Sequence, residues 1–166
     1  MSAGVLHTAS MDSPPAPRVL ILGFGNQARG DDGAGPAVLE ALARRPWPPH
    51  VEMLTAYQLL PEFADRFAAV DLVVLIDADA RRAAGVITRI RVRPAANRDS
   101  GHRWTAATLA HLARELHGRC GSVVAYTIGG ADFSATAPWE FTLTPPVARA
   151  VDRLANRLAK RFPPAH

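Results

Sequence analysis

The stretch Arg18–Leu42, RVLILGFGNQARGDDGAGPAVLEAL, constrains the fold of this chain more than any other. The apolar run Val19–Leu22 reads as a buried strand. It breaks into the glycine-punctuated turn Gly23-Phe24-Gly25-Asn26, and a helical pattern begins near Gly35-Pro36. Between strand and helix sit Asp31 and Asp32, followed by Gly33. Two carboxylates therefore lie in the loop beyond the carboxyl end of the first strand. In open α/β sheets that edge is where ligands bind.

Two plainer readings compete for this loop. Gly23–Ala28 fits the loose form of a dinucleotide-binding fingerprint, with alanine in the third place. Phosphate, however, needs a cradle of backbone N–H groups without anions nearby, and Asp31-Asp32 would repel a pyrophosphate. The second predicted strand, Val51–Ala56, also ends in Ala56-Tyr57-Gln58, without the acid the fingerprint requires. A nucleotide- or dinucleotide-binding domain stays as an alternative. The other plain reading makes Asp31 or Asp32 a helix cap.

Downstream, strand and helix signals alternate. Pro36–Arg45 reads as a helix stopped by Pro46, and Val51–Ala56 as a second strand. Leu59–Ala69 reads as a helix with Leu60, Phe63, Ala64 and Phe67 on one face. Leu72–Ile76 is continuously apolar, as expected of a central strand covered on both sides. Val86–Val92 alternates like a half-exposed edge strand, and the short turn before it predicts an antiparallel orientation. Thr105–His117 reads as a helix with Leu109, Leu112, Ala113 and Leu116 inward. Ser122–Ile128 reads as a last buried strand. Thr144 then caps a final helix with Pro145 in its first turn and an apolar stripe of Val147, Val151, Leu154 and Leu158. Arg149, Arg153, Arg157 and Lys160 line another face, which reads as solvated surface. The order βαβαββαβα predicts a three-layer α/β/α domain with a mixed sheet of about five strands, one of them an antiparallel edge strand.

At 166 residues, the chain suits one domain over residues 18–166. Residues 1–17 hold no Lys or Arg before Arg18 and several Pro, Ser and Ala, so they read as a disordered extension. They make neither a signal peptide nor a membrane anchor. Lys and Arg total 19 against 15 acids, a net charge of +4 with no clustered basic and aromatic run, so no nucleic-acid partner is expected. The single cysteine, Cys120, excludes an internal disulfide and a cysteine-rich zinc site, and fits a reducing, cytoplasmic compartment.

Further chemistry gathers at the third strand. It ends in Ile76-Asp77-Ala78-Asp79, which places Asp77 at the carboxyl edge beside the first loop. A charge there costs desolvation unless it is paired or holds a cation. Asp79 sits further out and reads as a turn residue. Of the histidines, His102 lies in a loop just before the helix at Thr105, whereas His111 and His117 fall on that helix. No Gly-x-Ser-x-Gly elbow and no His-Glu-x-x-His motif is present.

Gly23, Gly25, Asn26, Asp31, Asp32, Gly33 and Gly35 reproduce, in type and spacing, an opening pattern of G-x-G-N followed by D-[DE]-G-x-G. The chain thereby resembles the hydrogenase maturation endopeptidases, which trim the C-terminal extension from the large subunit of nickel-iron hydrogenases. The resemblance runs more loosely from Arg18 to Phe162, through Asp77, Ser100-Gly101-His102 and Leu143-Thr144-Pro145. It implies a phosphorylase/hydrolase-like fold and a metal-contacting triad of Asp32, Asp77 and His102. It also implies a nickel-loaded large-subunit precursor as substrate, with the nickel carried by that precursor and no tightly bound cofactor of the protease's own. Gly23, Gly25, Asn26, Asp31 and Gly33 would shape the binding turn. A non-catalytic binding module of a maturation complex is a further alternative. Thr127-Ile128-Gly129-Gly130 and the loop Ala131–Glu140 depart from the family pattern.

Overall fold

The structure is a computed structural model that describes residues 15–96, 104–134 and 142–164. Strand β1 (Val19–Phe24) is followed by a kinked 3₁₀ segment (Gln27–Gly33) and helix α1 (Ala34–Ala43). Then come β2 (Val51–Ala56), α2 (Phe63–Ala69), β3 (Leu72–Asp79), β4 (Ile87–Val92), α3 (Ala106–His117), β5 (Ser122–Gly129) and α4 (Pro145–Arg161). The five strands lie in the order β2-β1-β3-β5-β4. All pairings are parallel except that of β4 with β5, so β4 is the antiparallel edge strand.

Alternation along β1 and β3 divides the core between the two faces of the sheet. Ile21, Val74 and Ile76 pack with α1 and α4 through Val38, Leu42, Val151 and Leu154. Leu20, Leu22, Val73 and Leu75 pack with α2 and α3 through Phe67, Leu109 and Ala113. The result is the expected three-layer α/β/α architecture. The apolar stripe of α4 is buried at all four expected positions.

Several local expectations are corrected. Helix α2 begins at Phe63; Leu60 precedes it in a turn and is 40% exposed. Leu116 is 63% exposed, because the last turn of α3, residues 114–117, is exposed throughout and lies beyond the helix's packing on α2. β3 runs three residues further than its apolar run, since Asp77–Asp79 pair with Thr127–Gly129 of β5. Thr144 occupies the N-cap position of α4, but its side chain makes no cap hydrogen bond and is used elsewhere. Of the N-terminal extension, residues 15–17 are exposed without regular structure, and the rest lies outside the described residues.

The connection from β1 leads to β2 on one side, and the next crossover leads to β3 on the other. The carboxyl ends of β1 and β3 therefore flank the switch point of the sheet, where the loops separate and leave a crevice.

Candidate functional site

That crevice is built by a tightly constrained loop after β1. Gly25 has φ +137°, and a Cβ there would run into the carbonyl of Asp32. Only glycine lets the turn close on the acid loop in this way. The Asn26 N–H donates to Asp32 Oδ2 at 3.0 Å, and the Asn26 side-chain oxygen accepts from Ala28 N–H at 3.0 Å. Arg29 N–H donates to the Asn26 carbonyl, and Gly25 N–H to the Ala56 carbonyl. These bonds explain why Asn follows the second glycine. They also take up the N–H groups of Gly25, Asn26, Ala28 and Arg29, which a pyrophosphate would need. The dinucleotide reading loses its support. Of the other two glycines, Gly23 is buried inside β1 and Gly33 is the N-cap residue of α1.

The two neighbouring acids have separate fates. Asp31 is 0% exposed. Its Oδ2 accepts from Ala131 N–H at 2.8 Å and Asp132 N–H at 3.1 Å, and its Oδ1 from Thr144 N–H at 2.8 Å. The Thr144 hydroxyl donates between both oxygens. Burial pushes the Asp31 carboxyl up, but the N–H groups of Ala131, Thr144 and Asp132 and the Thr144 hydroxyl outweigh it and hold the group below its ordinary value. Asp31, expected at the binding turn, spends its oxygens on the protein: it ties the segments at 131–132 and 144 to the loop that carries Asp32. It is not a helix cap either, because its donors lie about a hundred residues away in sequence.

Asp32 and Asp77 both lie at the carboxyl end of the sheet, in the segment after β1 and near the end of β3. Asp77 lies within β3, opposite Thr127, and its carboxylate accepts from Ala78 N–H at 2.8 Å. Burial raises its pKa to about 7 against that hydrogen bond, and the nearby charges of Asp32 and Asp79 push in the same direction as burial. Among the described residues, no ion pair involves Asp32 or Asp77. Asp79, expected in a turn, is instead the last residue of β3, and its carboxylate accepts from the backbone and side chain of Arg81 at 3.0 Å. His102 lies outside the described residues, and among those described no cluster of three metal-ligating side chains forms. His117 instead pairs with Asp65 at 2.8 Å on the surface. Cys120 sits before β5, at the far end of the sheet, and burial raises its thiol pKa. It is not an activated nucleophile for this crevice.

Asp32 thus lies near enough to Asp77 for its charge to raise the Asp77 pKa, while Asp31 has a separate structural task. The hydrogen bonds of Asp31 to Ala131 and Asp132 were missed in the sequence. Their trace is the Gly130 that departs from the family pattern: a Cβ there would meet the Phe133 ring and the Asp31 Cβ.

The class so defined is a three-layer α/β/α domain with a pair of carboxylates at its switch point. Particular solved structures share this fold. The [NiFe] hydrogenase maturation protease HycI from Thermococcus kodakarensis is similar at 24% identity and a TM-score of 0.70, over 86% of this chain and 90% of that one. The hydrogenase maturating endopeptidase HybD from E. coli is similar at 24% identity and a TM-score of 0.73, over 87% and 91%. A HybD [NiFe] hydrogenase maturation protease from Thermococcus kodakarensis is similar at 19% identity and a TM-score of 0.64, over 87% and 99%. No protein-family profile and no curated protein sequence matches the chain. The fold implied by the glycine and aspartate pattern is borne out: the chain has the fold of the hydrogenase maturation proteases.

Proposed function

We propose that this chain is an endopeptidase that removes the C-terminal extension from a nickel-loaded large-subunit precursor of a nickel-iron hydrogenase, in the cytoplasm. The observation that carries the reading is that the charge of Asp32 reaches Asp77 at the switch point, and that neither acid forms an ion pair among the described residues. Such a pair attracts a cation, because a bound ion relieves both the mutual repulsion and the desolvation of the buried acid. In this reading the cation is nickel that arrives in the precursor. Asp32, Asp77 and His102 contact it, and the protease needs no tightly bound metal of its own. Two carboxylates and an imidazole suit a borderline divalent ion. Two further features support the reading: the fold shared with the solved proteases, and the loop architecture around Gly25 and Asn26 that holds Asp32 at the edge.

The test is processing of nickel-loaded precursor by the full chain and by Asp32→Asn, Asp77→Asn and His102→Ala. Each substitution is expected to abolish cleavage while the protein stays folded. Undiminished cleavage by Asp32→Asn or Asp77→Asn would remove the pair from the mechanism. No helix among the described residues is long and apolar enough to cross a membrane.

A further inference from the structure

The basic stripe of α4 is exposed at Arg149, Arg153, Arg157 and Lys160, as expected of a solvated face, and its C-terminal end also borders a groove. Arg157, Lys160 and Arg161, in its last turns, stand across a groove of about 610 Å³ from Arg89 and Arg91 of β4. The floor of the groove is largely apolar and includes Val124, Tyr126, Leu158 and Phe162. No acidic side chain lines it, and among the described residues none of the five cations forms an ion pair. The Arg161 guanidinium lies 5.3 Å from the centroid of the Phe162 ring, so one cation is already held over an aromatic wall.

A plain explanation covers part of this. Cations in the last turn of a helix complement its dipole, which accounts for Lys160 and Arg161. It does not account for Arg89 and Arg91, which belong to a strand and point to the same face as Ile87. Like charges gathered from two elements repel one another, and an anionic occupant would relieve that repulsion.

We propose that this groove is a docking site for an acidic, partly apolar peptide segment of a protein partner. Charge complementarity calls for the acidic groups, and the floor of Val124, Tyr126, Leu158 and Phe162 calls for apolar side chains between them. A phosphate chain alone would leave that floor uncovered. β4 pairs only with β5 among the described residues, so its outer edge offers backbone groups to an extended segment. The groove lies toward the amino ends of the parallel strands, near Leu72 and Ser122. Asp32 and Asp77 lie at the carboxyl ends, so both sites can be filled at once. The inference stands whether or not the chain is a protease.

The test is fluorescence anisotropy of a labelled synthetic peptide in which glutamates alternate with leucine and phenylalanine, titrated with the full chain. Binding is expected to weaken as salt rises. It is expected to fall roughly tenfold, about 1.4 kcal/mol, in Arg89→Gln/Arg157→Gln, which removes two of the cations. Lys160→Gln/Arg161→Gln gives a second pair should the first fold poorly, and Arg149→Gln, exposed on the same helix outside the groove, is expected to bind like the parent. The same peptide with glutamine for glutamate should bind far more weakly. Equal binding by both double variants and the parent would overturn the proposal. So would sodium tripolyphosphate or duplex DNA binding more tightly than the peptide and losing affinity in the same variants, since the occupant would then be a phosphate ligand or a nucleic acid.

Discussion

Asp31 and Asp77 are carboxylates at the same edge of one sheet, and the protein treats them in opposite ways. Asp31 is fully buried and surrounded by three backbone N–H groups and a hydroxyl, so its charge is favoured and its pKa falls. Asp77 is half-buried with one backbone N–H and two acids nearby, so its charge is disfavoured and its pKa rises to about 7. Burial pushes both upward; at Asp31 four donors outweigh it, whereas at Asp77 one donor does not and the charges of Asp32 and Asp79 add to it. A carboxylate met by enough donors is part of the scaffold. One left short of donors, near a second acid, has the perturbed ionisation that marks candidate functional groups, and under the proposed function it meets the cation of the substrate.

The largest effect that sharpens this contrast is expected at Asp31. Asp31→Asn would turn one acceptor into a donor facing N–H groups, leaving buried partners unsatisfied. A loss of about 3–5 kcal/mol is expected in urea unfolding at neutral pH. The wild-type contribution has a definite pH window. With a folded pKa below the unfolded value of 3.8, it is fully present above about pH 4 and disappears as pH falls through the folded pKa. A near-neutral Asp31→Asn would mean that the loops at 131–132 and 144 are held by other contacts.

Asp77→Asn is expected to have the opposite sign. Above pH 7 the wild-type carboxylate is ionised in the folded and unfolded states and carries its full desolvation cost. Below about pH 4 it is protonated in both and costs nothing. Asn should therefore stabilise by roughly 1–3 kcal/mol at pH 8 and change little at pH 4, as read from melts at the two pH values. Destabilisation at pH 8 would show a structural acid. A smaller gain of the same sign is expected for Asp32→Asn at pH 8, since removing that charge lets Asp77 ionise at lower cost, with the apparent pKa of Asp77 falling in an NMR titration. Away from this edge, Leu116→Ser should change stability by less than about 0.5 kcal/mol, because the side chain lies outside the core.

The fold was legible where local pattern and tertiary structure agree. β2 begins and ends where its composition says, and the stripe of α4 is buried as its spacing requires. The extension of β3 was not legible, because Asp77–Asp79 are poor strand residues held by pairing with β5. Leu60 and Leu116 fit a helical face and still miss the core, since periodicity gives a face but not where the partner ends. At the site, Asp32 and Asp77 could be placed because each follows a buried strand to the same edge. The role of Asp31 could not: its partners at 131, 132 and 144 meet it only through the folded chain. The same holds for Arg89 and Arg91, which meet the α4 stripe only across β5.

The most direct measurement incubates the full chain with two forms of one hydrogenase large-subunit precursor, nickel-loaded and metal-free, and follows release of the C-terminal peptide by mass spectrometry. Metal content of the purified chain is determined in parallel. The account predicts cleavage of the nickel-loaded form only, by protein carrying little stoichiometric metal. Efficient cleavage of the metal-free precursor, or a requirement for a metal permanently bound to the chain, would contradict it.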